Sequence, residues 1–83
     1  MNIDNELLQN LNQLHTTALG AQRIKRNLSL DTEDVVTWCK RKITGEHALI
    51  TRTGKNWYVK AEGCILTIHA HSYTIITAHK EKR

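Results

Sequence analysis

The sequence predicts an α+β domain in which three N-terminal helices pack on one face of a four-stranded antiparallel β-meander. Two observations lead to this prediction. Apolar residues recur every three to four positions as far as Ile43, and from His47 onward they alternate with polar residues. Short turn signals, Gly54-Lys55 and Glu62-Gly63, separate the alternating runs as two-residue hairpin links do. Because the chain has 83 residues, we expect a single domain covering residues 1–83.

The first half of the chain carries three predicted helices, at about residues 4–15, 17–28 and 32–43. Asp4 is the predicted cap of the first helix, whose leucines form one apolar stripe, and Thr16-Thr17 begins the second. The third helix has the clearest start, because Asp31 can cap it and Asp34 adds negative charge to its first turn. Gly45 is the predicted end of that helix.

The second half carries four predicted strands, at about residues 47–53, 56–61, 64–70 and 73–79. A two-residue link at Glu62-Gly63 pairs Val59 with Leu66 and Trp57 with Ile68. These residues are all apolar, so the same register places them together on the buried face of the sheet.

The last hairpin allows two registers. A two-residue link would place Thr77 and His79 on the buried face, whereas a three-residue link pairs Ile68 with Ile76 and keeps that face apolar. We expect the three-residue link, because burying polar side chains without partners is costly.

Register divides the strand residues between two faces. The predicted core face carries Trp57, Val59, Leu66, Ile68, Ile76 and Ala78, flanked by Ala48, Ile50, Arg52, Ala61 and Cys64. The opposite face, called the open face below, carries Asn56, Tyr58, Lys60, Thr67, His69, Thr77 and His79, together with Leu49, Thr51, Thr53, Ile65 and Ile75. One solvated face is normal for an antiparallel sheet, but this concentration of polar and basic residue types points to a function.

Composition narrows the class of protein. Twelve Lys and Arg against eight Asp and Glu give a formal charge of +4, which favours a polyanionic partner such as nucleic acid. No apolar run approaches the roughly 20 residues that span a bilayer, and the polar N-terminus lacks a signal-peptide core, so we expect a cytoplasmic protein without membrane contact. Cys39 and Cys64 are interpreted as small buried hydrophobes, with a disulfide as the alternative.

The open face combines residue types that bind phosphate and transfer protons. Cleavage of RNA needs a base for the 2′-hydroxyl, an acid for the leaving 5′-oxygen and a donor to the phosphoryl oxygens. His69 and His79 are the predicted acid–base pair, and Lys60 is the predicted phosphate anchor. The predicted substrate-binding residues are Tyr58, Asn56, Thr77 and Thr67.

These residues also have structural interpretations. Thr67 and Thr77 form a common type of cross-strand pair that needs no ligand. A zinc site at His69, His71 and His79 is a further alternative, but their spacing matches no known zinc motif. The open face carries no carboxylate in the predicted register, so it offers no Glu–His acid–base pair.

Four segments carry a resemblance to known proteins: residues 16–28, 38–40, 54–59 (GKNWYV) and 72–80 (SYTIITAHK). They resemble a small bacterial family whose members have no assigned function. The order of elements, ending in a Thr-Ala-His strand, also resembles the barnase, EndoU, colicin and RelE group of ribonuclease folds.

In that ribonuclease group the helices pack on one sheet face and RNA is cut on the other. The resemblance implies a catalytic role for His79 in the terminal strand, with Lys60, His69 and Thr77 as further strand residues of the site. The missing carboxylate departs from the barnase pattern and agrees better with a RelE-like or colicin-like site. Because fold alone does not determine function, this implication remains an analogy.

We therefore expect a metal-independent endoribonuclease of toxin type, which acts on RNA through the open face and leaves 2′,3′-cyclic phosphate ends without a cofactor. The alternative is a non-catalytic module that binds nucleic acid or protein through the same face. Leu49, Ile65 and Ile75, exposed in the predicted register, favour a cognate inhibitor protein or a homodimer there.

Overall fold

A computed structural model describes residues 6–81. The fold is α+β, with three helices and a four-stranded antiparallel sheet, as predicted. The helices are α1 (Glu6–Gln9), α2 (Ala18–Leu28) and α3 (Val35–Ile43), and a short 3-10 helix (Leu11–Gln13) follows α1. The strands are β1 (Leu49–Thr53), β2 (Asn56–Ala61), β3 (Cys64–His69) and β4 (Ile75–Lys80), which lie side by side in chain order.

The first helix is much shorter than expected. α1 ends at Gln9, and after the 3-10 turn the chain runs alongside β4. The N–H of His15 donates to the carbonyl of Tyr73 at 3.1 Å, and the carbonyl of His15 accepts from the N–H of Ile75 at 2.7 Å. The predicted helix over residues 4–15 is therefore wrong at its C-terminal end, because the strand edge supplies hydrogen-bond partners that a longer helix would forgo. Its predicted cap, Asp4, lies outside the described residues.

The starts of α2 and α3 are set by side-chain caps. Thr17 caps α2, where its hydroxyl accepts a first-turn N–H at 2.9 Å. α3 begins at Val35, later than predicted, because its cap is Asp34 and not Asp31. The Asp34 carboxylate accepts the N–H of Thr37 at 3.0 Å and its hydroxyl at 2.7 Å. Those two hydrogen bonds stabilise the charged form and lower the pKa of Asp34.

The first two hairpins have the turn chemistry that the sequence predicts. Gly54 has a φ of +61°, and Glu62 and Gly63 have φ values of 51° and 79°. These angles fit a type II′ turn followed by a type I′ turn, whose twist matches that of the strands they join. The predicted pairs Val59 with Leu66 and Trp57 with Ile68 form, together with the four other pairs that the same register requires.

The last hairpin corrects one predicted pair. Ile68 pairs with Ile75 and not with Ile76, across a β-bulge in the ladder between β3 and β4. Ile75, expected on the open face, is therefore 1% exposed, and Ile76, expected in the core, is 38% exposed. The cause lies outside the hairpin: the backbone of Ile75 is held by His15 on the other side of β4. Alternation within β3 and β4 carries no information about that contact.

Strand ends also differ from the prediction. β1 and β4 begin two residues later than expected, β3 ends one residue earlier, and β2 has the predicted bounds. One buried cluster joins the elements through side chains that are at most 7% exposed: Leu7, Leu14, Ile24, Leu28, Val35, Cys39, Ile43, Trp57, Val59, Leu66, Ile68, Ile75 and Ala78. The polar residues of the open face are not part of this cluster, so the core does not depend on them.

The outer edge of β4 is covered along most of its length. The hydroxyl of Thr16 donates to the carbonyl of Ile75 at 2.9 Å, and the amide of Asn27 donates to the carbonyl of Ala78 at 3.2 Å. Helix α2 can approach the strand this closely because Gly20 has no side chain where the two elements meet: a Cβ added there would lie 2.5 Å from Oγ1 of Thr16 and 3.7 Å from the carbonyl oxygen of Ile75. A covered edge cannot pair with another chain.

Gly20→Ala is expected to destabilise the fold by about 1 kcal/mol, although Ala has the higher helix propensity. The new Cβ would displace the Thr16 hydroxyl and break its hydrogen bond to Ile75. In a Thr16→Ala background this contact is gone and only the 3.1 Å approach of the new Cβ to Oγ1 of Thr17 is left, so Gly20→Ala is expected to cost less than in wild type. Urea unfolding of the four proteins measures both effects, and the same change in both backgrounds would contradict this account.

The two thiols are expected to differ in reactivity. Both are free; Cys39 is fully buried, and burial, reinforced by the nearby Cys64, raises the pKa of Cys39 to about 12. Native protein at mildly alkaline pH should therefore take up one equivalent of iodoacetamide, at the half-buried Cys64, and a second only after unfolding. Mass spectrometry measures the stoichiometry, and two rapid additions to native protein would contradict the prediction. In a Cys64→Ala variant the native protein should take up none.

The same pKa shift predicts how Cys39 affects stability at high pH. The ordinary thiol pKa is 9.0, and that of the folded protein is about 12. Between these values the unfolded chain loses the Cys39 proton and the folded chain keeps it, so the folded state loses stability as the pH rises through this window. Comparison of wild type with Cys39→Ala by urea unfolding at about pH 8 and pH 10 isolates this contribution. An equal pH dependence in both proteins would contradict it.

Candidate functional site

A half-open cleft of about 560 Å³ lies where several elements end. Its lining residues come from α1, from the end of β1, from the β1–β2 turn and from the end of β3 with the loop that follows: Glu6, Arg52, Lys55, His69, Ala70 and His71. The β1–β2 turn and the β3–β4 loop are held together by a hydrogen bond from the N–H of Ala70 to the carbonyl of Lys55 at 2.8 Å. The cleft thus brings a carboxylate, two imidazoles and two cations to one place.

The two cations of the cleft differ in how they are held. The Arg52 guanidinium lies 5.4 Å from the ring centre of Trp57, and its Nε donates to the carbonyl of Gly54 at 3.1 Å. Arg52 is therefore fixed against the core, with its remaining N–H groups available to a ligand. Lys55 is exposed, and no residue among 6–81 forms an ion pair with it. One anchored and one exposed cation against the single carboxylate of Glu6 leave an excess of positive charge, which suits an anionic ligand.

The tautomer of His69 is set by its loop. Nδ1 of His69 accepts the backbone N–H of His71 at 3.2 Å and that of Ser72 at 3.4 Å. Since a backbone N–H can only donate, Nδ1 is unprotonated and the ring hydrogen is on Nε2. The ring of His71 lies edge-on to that of His69, with 6.5 Å between centres. His69 thus presents a fixed N–H donor, and His71 is an exposed imidazole beside it.

A chain of polar groups leads from His69 to the N-terminal segment. The Ser72 hydroxyl lies 2.8 Å from the Thr74 hydroxyl, which lies 3.0 Å from Nε2 of His15. Nδ1 of His15 is 2.9 Å from the carbonyl of Gln13 and must donate to it. Nε2 of His15 consequently accepts from Thr74 when the ring is neutral. The chain ties the loop that carries His71 to the segment that covers β4.

The predicted catalytic residues are spread along the sheet. His79 is opposite Ile65 in the β3–β4 ladder, four residues from His69 on β3, which is about 13 Å along the strand. Nδ1 of His79 donates to the carbonyl of Lys80 at 3.1 Å. Lys60 forms an ion pair with Glu81 at 3.0 Å. The structure therefore places only His69 at the cleft and leaves Lys60 and His79 toward the other end of the sheet.

The predicted substrate-binding residues lie between these two ends. Asn56 pairs with His69 in the ladder, and its amide donates to the Tyr58 hydroxyl at 3.3 Å. Thr67 and Thr77 form the expected cross-strand pair. All four side chains are half-buried, and the ladder places them side by side on three neighbouring strands, beginning at His69.

Sequence reasoning missed four residues of the cleft: Glu6, Arg52, Lys55 and His71. The signal for Arg52 and Lys55 was present, because Lys55 is part of the β1–β2 turn, Arg52 lies two residues before that turn, and the register places the turn next to His69. His71 was considered only as a zinc ligand. Glu6 had no local signal, because no pattern in the sequence states where the first helix docks.

No group of three or more His, Cys, Asp or Glu side chains within residues 6–81 is arranged to hold a metal ion. Within the same range, no helix combines the length and apolar character needed to cross a membrane.

Residues 8–79 match the model of a family described as "Protein of unknown function (DUF3781)". The chain belongs to this family. The match covers all four strands to within one residue of the C-terminal end of β4, and every cleft residue except Glu6. No curated protein and no solved structure matches the chain.

The two histidine tautomers can be measured directly. At a pH above the histidine titration range, long-range ¹H–¹⁵N spectra are expected to show His69 with its hydrogen on Nε2 and His15 with its hydrogen on Nδ1. Thr74→Val removes the partner of Nε2 in His15 and should change the His15 signals while leaving the tautomer of His69 unchanged. A His69 with its hydrogen on Nδ1 would contradict the proposed loop geometry.

Proposed function

We propose that this protein is a metal-independent endoribonuclease of toxin type whose active site is the cleft. The observation that carries the proposal is the convergence of Glu6, His69, His71, Arg52 and Lys55 on one cleft. A carboxylate, imidazoles and cations are the groups that RNA cleavage requires of a protein without a metal ion. The carboxylate that the sequence did not predict for this site comes from the first helix.

Each group has a role in the proposed reaction. The Glu6 carboxylate accepts the proton of a ribose 2′-hydroxyl, whose oxygen attacks the adjacent phosphorus. The bond from phosphorus to the 5′-oxygen breaks, and protonated His71 delivers a proton to that leaving oxygen. Nε2–H of His69, with Arg52 and Lys55, donates to the phosphoryl oxygens as their charge grows. The products are a 2′,3′-cyclic phosphate end and a 5′-hydroxyl end.

The open face extends the proposed site. In the proposed arrangement the helices pack on the opposite, core-facing side of the sheet, which the single buried cluster supports. RNA leaving the cleft would pass Asn56 and Tyr58, where a base can stack on the half-buried phenol. Lys60 and His79, at the far end of the sheet, would then contact the backbone of the bound strand and take no part in proton transfer.

A second candidate is a binding module without turnover. The observation that favours it is the exposure of two apolar side chains: Leu49 (64%), opposite Lys60 on the open face, and Ile76 (38%), at the bulge of β4. Apolar side chains on an otherwise polar face suit a protein partner, such as a cognate inhibitor, better than RNA. In this alternative the cleft would hold an acidic group of the partner.

The experiment that separates these functions is an RNA cleavage assay in EDTA with the full chain. We expect wild type to cut total RNA or tRNA and to leave 2′,3′-cyclic phosphate ends. Glu6→Gln and His71→Ala should each lower the rate about 100-fold, the usual loss of a general acid or base. His47→Ala is the matched control, because His47 is an exposed histidine that lines a separate small pocket.

The histidine variants also decide where the site lies. If His79→Ala abolishes cleavage and His71→Ala does not, the proposed cleft site is wrong and the pair expected from the sequence is favoured. If the wild type binds RNA with a steep salt dependence but leaves it intact, the enzyme proposal fails and the nucleic-acid-binding module is favoured.

A further inference from the structure

The two edges of the sheet differ in whether other parts of the chain hydrogen-bond to their outward-facing backbone groups. On β4, groups from the N-terminal segment and from α2 occupy the outward-facing backbone of Ile75 and Ala78. On β1, none of the described residues 6–81 pairs with the outward side of the strand, and only the preceding Ala48 N–H is bonded, to the carbonyl of Gly45 at 3.2 Å. β1 is therefore the open edge of the sheet.

The turn after β1 determines which backbone groups point outward. A two-residue link closes on a hydrogen-bonded pair, here Thr53 with Asn56. Thr53, Thr51 and Leu49 therefore bond to β2, and the N–H and C=O groups of Ile50 and Arg52 point away from the sheet. These are two donors and two acceptors in the pattern that another antiparallel strand requires.

β1 has few of the features by which open edges usually avoid pairing. It contains no proline, no lysine and no bulge within Leu49–Thr53. Its one charged side chain, Arg52, is folded back onto the carbonyl of Gly54 and the ring of Trp57. In this position the Arg52 side chain does not block another strand from pairing with β1.

We propose that β1 pairs with β1 of a second copy of this chain, antiparallel and with the two-fold axis at Thr51. In this register Ile50 of each copy hydrogen-bonds with Arg52 of the other, which satisfies all four outward groups on each strand. Thr51 faces its own equivalent in a favourable cross-strand pair, and each exposed Leu49 faces a Thr53. No two like charges lie opposite each other.

The chemistry of the edge favours a second copy over an unrelated peptide. A strand that is complementary to itself forms its hydrogen bonds with any other molecule of the protein. The product is a continuous sheet of eight strands, within the usual size of open sheets. Because only one five-residue strand from each copy takes part, the interface is small and the dimer is expected to be concentration-dependent and reversible.

Charge substitutions at the two-fold axis give a test that is specific for this register. Thr51→Lys places two ammonium groups directly opposite each other and is expected to weaken the dimer at least about tenfold. Thr51→Glu should do the same, whereas an equimolar mixture of the two variants should associate at least as tightly as wild type. Thr53→Lys is the control, because it adds the same charge to the same strand but faces Leu49 of the other copy; its effect should stay below about threefold. Sedimentation velocity from about 10 to 500 µM, the range for weak interfaces, measures each constant.

A second variant tests the geometry of the proposed dimer rather than its affinity. Thr51→Cys should form an intermolecular disulfide under mild oxidation, because residues at a non-hydrogen-bonded antiparallel pair have the Cα separation a disulfide needs. Thr53→Cys should not. A wild type that stays monomeric over the whole concentration range overturns the proposal and leaves the edge to a strand of another protein. A dimer that Thr51→Lys and Thr53→Lys weaken equally, or that the Lys and Glu variants fail to re-form on mixing, overturns it too.

Discussion

The two backbone hydrogen bonds that His15 makes, with Tyr73 before β4 and with Ile75 at its start, determine the geometry of the C-terminal half of the site. They fix Ile75 from the side of β4 that faces away from the sheet, and Ile75 then enters the core one position earlier than the alternation of β4 indicates. The ladder absorbs the difference as a bulge, and the loop from His69 to Thr74 closes in a shape that requires a positive φ of 59° at Tyr73. The orientation of His69, and hence the character of the cleft, follows from that loop.

This dependence explains which parts of the fold could be predicted. The β2–β3 register followed from a local rule, because the Glu62-Gly63 turn and the apolar alternation of its two strands require the same pairing. The bulge at Ile76 and the early end of the first helix depend on one contact between residues 60 positions apart in the chain, His15 and Ile75. The cap of α3 was ambiguous for a different reason: Asp31 and Asp34 are chemically equal, and only the hydrogen bonds to Thr37 distinguish them.

The candidate site was predictable only in part, because a cleft at the ends of elements is specified by how those elements meet. The predicted open face includes both His69 and Asn56, which are neighbours in the ladder. Assignment of residues to faces does not identify the cleft residues at the strand ends. Arg52 belongs to the core side of its strand and still reaches the cleft, since it lies at the strand end. Glu6 lies on a helix that packs into the core through buried Leu7.

The pairing of His15 with Ile75 also has a consequence for the order of events during synthesis. Residues 15 and 16 leave the ribosome well before β4, the strand whose edge they cover. Until about residue 75 has emerged, the backbone of His15 and the hydroxyl of Thr16 lack the partners that they have in the folded protein. The β1–β2 and β2–β3 hairpins can already close through short, local turns. His15 and Thr16 are therefore made early but reach their final contacts only after β4 is available.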